Sequence, residues 1–106
     1  MTDELPTHRK KKVEIVVEVA RAPRILRMLT EKGATGYTVV PNLGGKGRRG
    51  MRGGADVVQV FDNVMIIAVT TEEIARAILT ESQSLLKDYV GIVYMSDVEV
   101  VRDEHF

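Results

Sequence analysis

Val13-Glu14-Ile15-Val16-Val17-Glu18-Val19, followed by Arg21-Ala22-Pro23-Arg24-Ile25-Leu26-Arg27-Met28-Leu29 and halted at Gly33, decides the class of fold. Apolar residues at 13, 15, 17 and 19 alternate with Glu14, Val16 and Glu18. That period of two predicts a strand with one buried face and one partly wet face. The spacing then lengthens: Ile25, Leu26, Met28 and Leu29 fall on one helical stripe, with Arg24, Arg27, Glu31 and Lys32 mainly off it. Pro23 suits a first helical turn and Gly33 is placed to end the helix.

Downstream the same succession returns. Gly36 to Val40 reads as a second strand closed by Pro41. Ala55 to Phe61 and Asn63 to Val69 read as one long or bent strand. Thr70 and Glu73 have capping-box spacing, and Glu72 and Glu73 suit a helix N-terminus. That helix runs through Ile74, Ala77, Ile78 and Leu85 towards Lys87. Val90 to Met95 is the last strand, with Val98, Val100 and Val101 as a bent continuation. Strand, helix, strand, strand, helix, strand predicts an α+β, ferredoxin-like βαββαβ domain. Its four-stranded antiparallel sheet carries both helices on one face. The expected limits are a mobile basic arm over 1–12, the domain over 13–101, and a loose tail over 102–106.

Composition narrows the function. A chain of 106 residues holds one domain, and 44% hydrophobic with 28% charged residues is ordinary globular usage. Fifteen basic residues balance fifteen acidic ones, which excludes reliance on bulk attraction to nucleic acid or anionic membrane. There is no cysteine, and the two histidines, His8 and His105, sit near opposite ends. Disulfides, thiolate metal sites and cysteine nucleophiles are thereby excluded, and no carboxylate pair suits acid–base chemistry. Without a leader-like or membrane-length apolar run, a cytoplasmic, non-enzymatic protein is expected.

The strand pattern conflicts with a lone domain. Val64 to Val69 is apolar at every position and Val90 to Met95 nearly so, a pattern that implies burial on both faces. With helices on one side only, self-association through the other side is expected.

The segment Gly44-Gly45-Lys46-Gly47-Arg48-Arg49-Gly50-Met51-Arg52 carries the chemistry. Glycines let backbone N–H groups converge, and such nests bind anions. Arginine adds a fork matched to phosphate oxygens. The P-loop pattern fails, because Val40 stands at the first glycine position and Gly47 at the hydroxyl position. Gly45, Gly47 and Gly50 have dinucleotide-motif spacing, but no helix follows. A solvated loop is the alternative. A stretch of this length with few bulky residues is expected to be mobile when empty and ordered by ligand.

Gly33-Ala34-Thr35-Gly36-Tyr37-Thr38-Val39-Val40, Gly44 to Arg49, and Asp88-Tyr89-Val90-Gly91-Ile92-Val93-Tyr94 resemble the PII signalling superfamily. The resemblance is to its branch associated with bicarbonate transport and carboxysomes. It implies a homotrimer with adenine nucleotide in clefts between subunits and a T-loop, here about 43–56, that reports occupancy. By position, Thr38 would face the adenine, and Gly44, Gly45, Lys46 and Gly47 would hold phosphates. Arg49 and Arg52 would engage terminal phosphates or a second anion. Gly91, Ile92 and Val93 would border the cleft from the neighbouring subunit, the two apolar residues flanking the base.

Bicarbonate is implied as a second ligand, against Arg48 or Arg49. The implied partner is an inorganic-carbon transporter or carboxysome-related protein, and carboxysome association is the implied location. No tyrosine or serine lies between Leu43 and Ala55, so the uridylylation of typical PII loops is not expected. Their Gly-Asp-Gly-Lys turn is replaced by Lys87-Asp88-Tyr89-Val90-Gly91, which favours ADP or AMP over ATP. The alternative function is a small RNA-binding module built on the basic loop and arm. The strands lack the stacking aromatics that such a sheet needs.

Overall fold

The computed structural model describes residues 5–44 and 62–106. Within them, β1 (His8–Glu18) leads through a short 3₁₀ turn (Val19–Arg21) into α1 (Ala22–Lys32). Then come β2 (Thr38–Leu43), β3 (Asn63–Thr70), α2 (Glu72–Leu85) and β4 (Gly91–Val100). The strands lie in the order β2-β3-β1-β4, every neighbouring pair antiparallel. This is the ferredoxin-like arrangement expected from the sequence. The predicted strand Ala55 to Phe61, and the T-loop beyond Gly44, lie outside the described residues.

Strand alternation sorts the side chains. Val13, Ile15 and Val17 of β1 and Val64, Ile66 and Ala68 of β3 are buried on one face. Ile25, Met28 and Leu29 of α1, with Ala75 and Ile78 of α2, close over them as one core. Each buried aliphatic chain there contributes roughly 1.5–3 kcal/mol of transfer free energy. The opposite face carries Val16, Met65, Ile67, Ile92 and Tyr94, as the register shows: Val16 lies opposite Met65 on one side and Ile92 on the other. Ile92 is 58% and Tyr94 41% exposed. The doubly apolar strands therefore bury one face within the chain and leave the other uncovered.

Local chemistry explains the boundaries. Gly33 caps α1 at φ 104°, and its N–H donates to the Thr30 carbonyl, an αL geometry that an L side chain adopts only with strain. The N-cap of α2 is Thr71, whose hydroxyl accepts from Ile74 N–H at 3.3 Å. The expected Thr70 is instead the last, buried residue of β3. The helix stops at Leu85, short of Lys87.

Pro41 does not close β2, which continues to Leu43 with a register break between Val40 and Leu43. Its position on an edge strand is the reason, since a proline without an N–H is tolerated there. Asn42 takes a left-handed φ of 62° within that break.

Two expectations about the ends are corrected. β1 begins at His8, so Arg9 to Lys12 form strand and not a mobile arm. They pair with β4 in an unbroken register from His8 opposite Val100 to Val17 opposite Gly91. For the same reason β4 has no bend before Val100. One opposite-charge pair and one hydroxyl contact join the two chain ends here: Lys11 binds Asp97 directly across the ladder, and the Thr7 hydroxyl, just before β1, donates to Glu99. The tail is not loose either; Lys10 pairs with Asp103, and the Thr35 hydroxyl donates to the His105 carbonyl at 2.6 Å.

Candidate functional site

Gly33 turns the chain out of α1, and Ala34 N–H donates back to the Leu29 carbonyl at 3.0 Å. That closure aims Thr35-Gly36-Tyr37 along the end of the sheet and delivers Thr38 as the first residue of β2, opposite Ile67 of β3. Thr38 therefore belongs to the uncovered face. An open cleft of about 820 Å³ lies there. Thr35 to Thr38 form one side, Ile67 and Val69 supply the aliphatic floor, and Glu104 to Phe106 form the remaining side. A concave surface of evenly mixed polar and apolar character, with hydroxyls and a carboxylate beside aliphatic side chains, suits a planar heteroaromatic group carrying polar substituents.

Of the other residues expected at the site, Gly44 follows β2 and is exposed. Gly45, Lys46, Gly47, Arg48, Arg49 and Arg52 lie outside the described residues. Gly91, Ile92 and Val93 open β4, on the far edge of the sheet from Thr38. Three strand spacings separate β2 from β4, roughly 14 Å, so one chain does not bring the two groups together.

Ile92 and Val93 do not share a face of the sheet. Consecutive strand residues point to opposite faces: Ile92 is exposed, whereas Val93 packs against the core and lines a second cavity of about 400 Å³ with Leu79, Ser82 and Leu86 of the α2 side. Gly91 has an internal reason to be glycine. A Cβ there would stand 2.9 Å from both the Val16 carbonyl oxygen and Val17 Cγ1.

Sequence reasoning missed the cleft's remaining lining. Tyr37 is nearly half exposed beside Thr38, and Phe106 is half-buried. Thr35, Gly36 and Tyr37 stand in the Gly33–Val40 stretch, but nothing in their spacing marks them as a wall. Glu104 to Phe106 have no periodicity at all. Tyr89 lies beneath the Arg21 guanidinium, 4.0 Å from ring centre, and ties the turn before β4 to the start of α1.

Two exposed aspartates on the β1–β4 side of the sheet carry shifted charge equilibria. Hydrogen bonding to the Lys10 ammonium holds the Asp103 carboxyl below its ordinary value of 3.8. Lys11 does the same to Asp97. Both effects favour the charged form.

Comparison with known proteins bears on this geometry. The family model for nitrogen regulatory protein P-II matches residues 10–105. CPII, a nitrogen regulatory PII-like protein from Thiomonas intermedia K12 solved with ADP, AMP and bicarbonate, is similar at 34% identity and a TM-score of 0.80, over 93% of this chain and 94% of that one. The same protein bound to ADP, AMP and acetate is 32% identical with a TM-score of 0.80, over 95% of this chain and 97% of that one. A PII-like signalling protein from Thermus thermophilus gives 29% identity and a TM-score of 0.75, over 92% of this chain and 95% of that one. Sequence and architecture agree along almost the whole length: the chain belongs to the nitrogen regulatory protein P-II family.

Proposed function

We propose that this chain is a regulator that senses adenine nucleotide, ADP or AMP before ATP, in clefts between the subunits of a homotrimer. The observation that carries the reading is the cleft at Thr38, with an aliphatic floor of Ile67 and Val69 on the uncovered sheet face. Two further features support it. Thr38 and Ile92 stand on opposite sheet edges, so a site using both needs two copies of the chain. The apolar face bearing Met65, Ile92 and Tyr94 suits burial against such copies.

In this reading Thr38 faces the base, and Gly44 to Gly47 with Arg49 and Arg52 hold the phosphates. A small carboxylate-like anion, bicarbonate, sits against Arg48 or Arg49. The similar CPII structures, solved with ADP, AMP and bicarbonate or acetate, make these ligands the first to test. Occupancy is passed through the glycine-rich segment to an inorganic-carbon transporter or carboxysome-related partner in the cytoplasm, without turnover of the nucleotide.

Calorimetry with AMP, ADP, ATP and cyclic AMP, each with and without bicarbonate, tests the proposal. ADP or AMP should give saturable heat that bicarbonate alters, and Thr38→Val should weaken binding by roughly tenfold, the worth of one to two hydrogen bonds. No heat with any of the four rejects the reading. Phosphate release on prolonged incubation with ATP would reject the non-enzymatic part of it.

A further inference from the structure

The second cavity, of about 400 Å³, lies on the helix side of the sheet, away from the uncovered face. Leu79, Ser82, Gln83 and Leu86 follow one flank of α2 and its C-cap, and Val93 of β4 stands opposite them. Thr80 completes the lining. Ser82 is the exception in these surroundings. It is 1% exposed, and its hydroxyl has no hydrogen-bond partner among the described residues. Thr30 and Thr80 donate their hydroxyls to the carbonyl one turn back, at 3.2 and 2.9 Å; Ser82 makes no such bond. Its backbone carbonyl is occupied, accepting from Leu86 N–H at 2.8 Å. A buried hydroxyl left unpaired is destabilising, and folded proteins hold few of them.

We propose that this cavity is a binding site for a small, uncharged, mainly aliphatic molecule with one hydroxyl or carbonyl group, anchored at Ser82. Its size and walls disfavour water alone. A water takes about 30 Å³ and needs two to four polar partners, whereas Leu79, Leu86 and Val93 offer none. The walls disfavour charge as well. No acidic or basic side chain lines the cavity among the described residues, so an ion would lose its hydration with no partner to replace it. The Thr80 hydroxyl proton is committed to the Arg76 carbonyl, and Gln83 is exposed. Ser82 is thus the buried lining residue whose side chain can both donate and accept. The site is independent of the nucleotide reading, for it shares no lining residue with the cleft at Thr38.

The probe is 1-hexanol, titrated into the full chain without nucleotide and followed through the methyl resonances of Leu79, Leu86 and Val93. These should shift together and saturate. Hexanoate and hexylammonium, similar in length but charged, should bind roughly tenfold or more weakly. Ser82→Ala should weaken 1-hexanol by roughly two- to tenfold, the worth of one hydrogen bond. Stability supplies a second readout that needs no ligand. Ser82→Ala removes an unpaired buried hydroxyl, so its denaturant midpoint should rise at least as far as that of Ser84→Ala, an exposed position on the same helix. A midpoint that falls instead would mean that the hydroxyl is already paired within the chain, and would overturn the proposal. Methyl shifts that never saturate, equal binding of all three probes, or undiminished binding by Ser82→Ala would overturn it too.

Discussion

Gly91 shows how much a single position is constrained before any ligand is considered. The missing side chain lets β4 lie against the Val16 carbonyl and the Val17 side chain, with Leu86 Cδ2 3.2 Å away from the place a Cβ would occupy. Gly91→Ala should therefore destabilise the fold by about 1–3 kcal/mol through overpacking, read as a lower denaturant midpoint with no ligand present. Asp103 makes a different residue-level prediction. Its folded pKa lies below its unfolded value because Lys10 hydrogen-bonds the carboxylate. The folded state thus binds fewer protons, and the contribution to tail docking is complete above the ordinary value of 3.8. It is lost as pH falls through the lowered folded value. Phe106 ring resonances should hold their docked shifts down to that range and then move; Asp103→Asn should show the undocked shifts already at neutral pH.

At the scale of elements, caps and edges set where the pieces begin and end. Thr71 is no part of the apolar core, yet its hydroxyl satisfies the Ile74 N–H at the start of α2. Thr71→Ala should cost about 1 kcal/mol, seen in thermal unfolding, whereas Thr71→Ser should cost much less. Much of this level was legible in advance: alternation from Val13 and the Pro23–Gly33 bracket marked β1 and α1. The misplaced limits share one cause. His8 to Lys12 have no apolar periodicity, so only the opposing Asp97, Glu99 and Val100 reveal them as strand. Pro41 reads as a breaker until β2 is known to lie on an edge.

For the whole molecule, the decisive quantity is the uncovered face. One chain leaves Ile92 and Tyr94 exposed beside Val16 and Met65, and the proposed trimer would bury them. Ile92→Glu should shift the sedimenting species from three times 11.8 kDa towards one while the circular dichroism of the fold persists. It should also weaken ADP binding if the cleft needs a second copy. An assembly unchanged by that charge would place the contact elsewhere.

The order of elements, the helix-facing half of each strand and the existence of a glycine- and arginine-rich segment follow from the sequence alone, because periodicity and turn chemistry are local properties of the chain. Thr38 was legible as a candidate site residue only through its resemblance stretch. The cleft around it was decided by the fold, which carries Ile67, Val69 and Glu104 to Phe106 to the same sheet end as Thr38. Likewise the separation of Ile92 from Val93, and of both from Thr38, is a matter of strand order and pleat. Contacts between residues some 70 positions apart, such as Thr35 with His105, arise from closure of the sheet, and no local pattern encodes them.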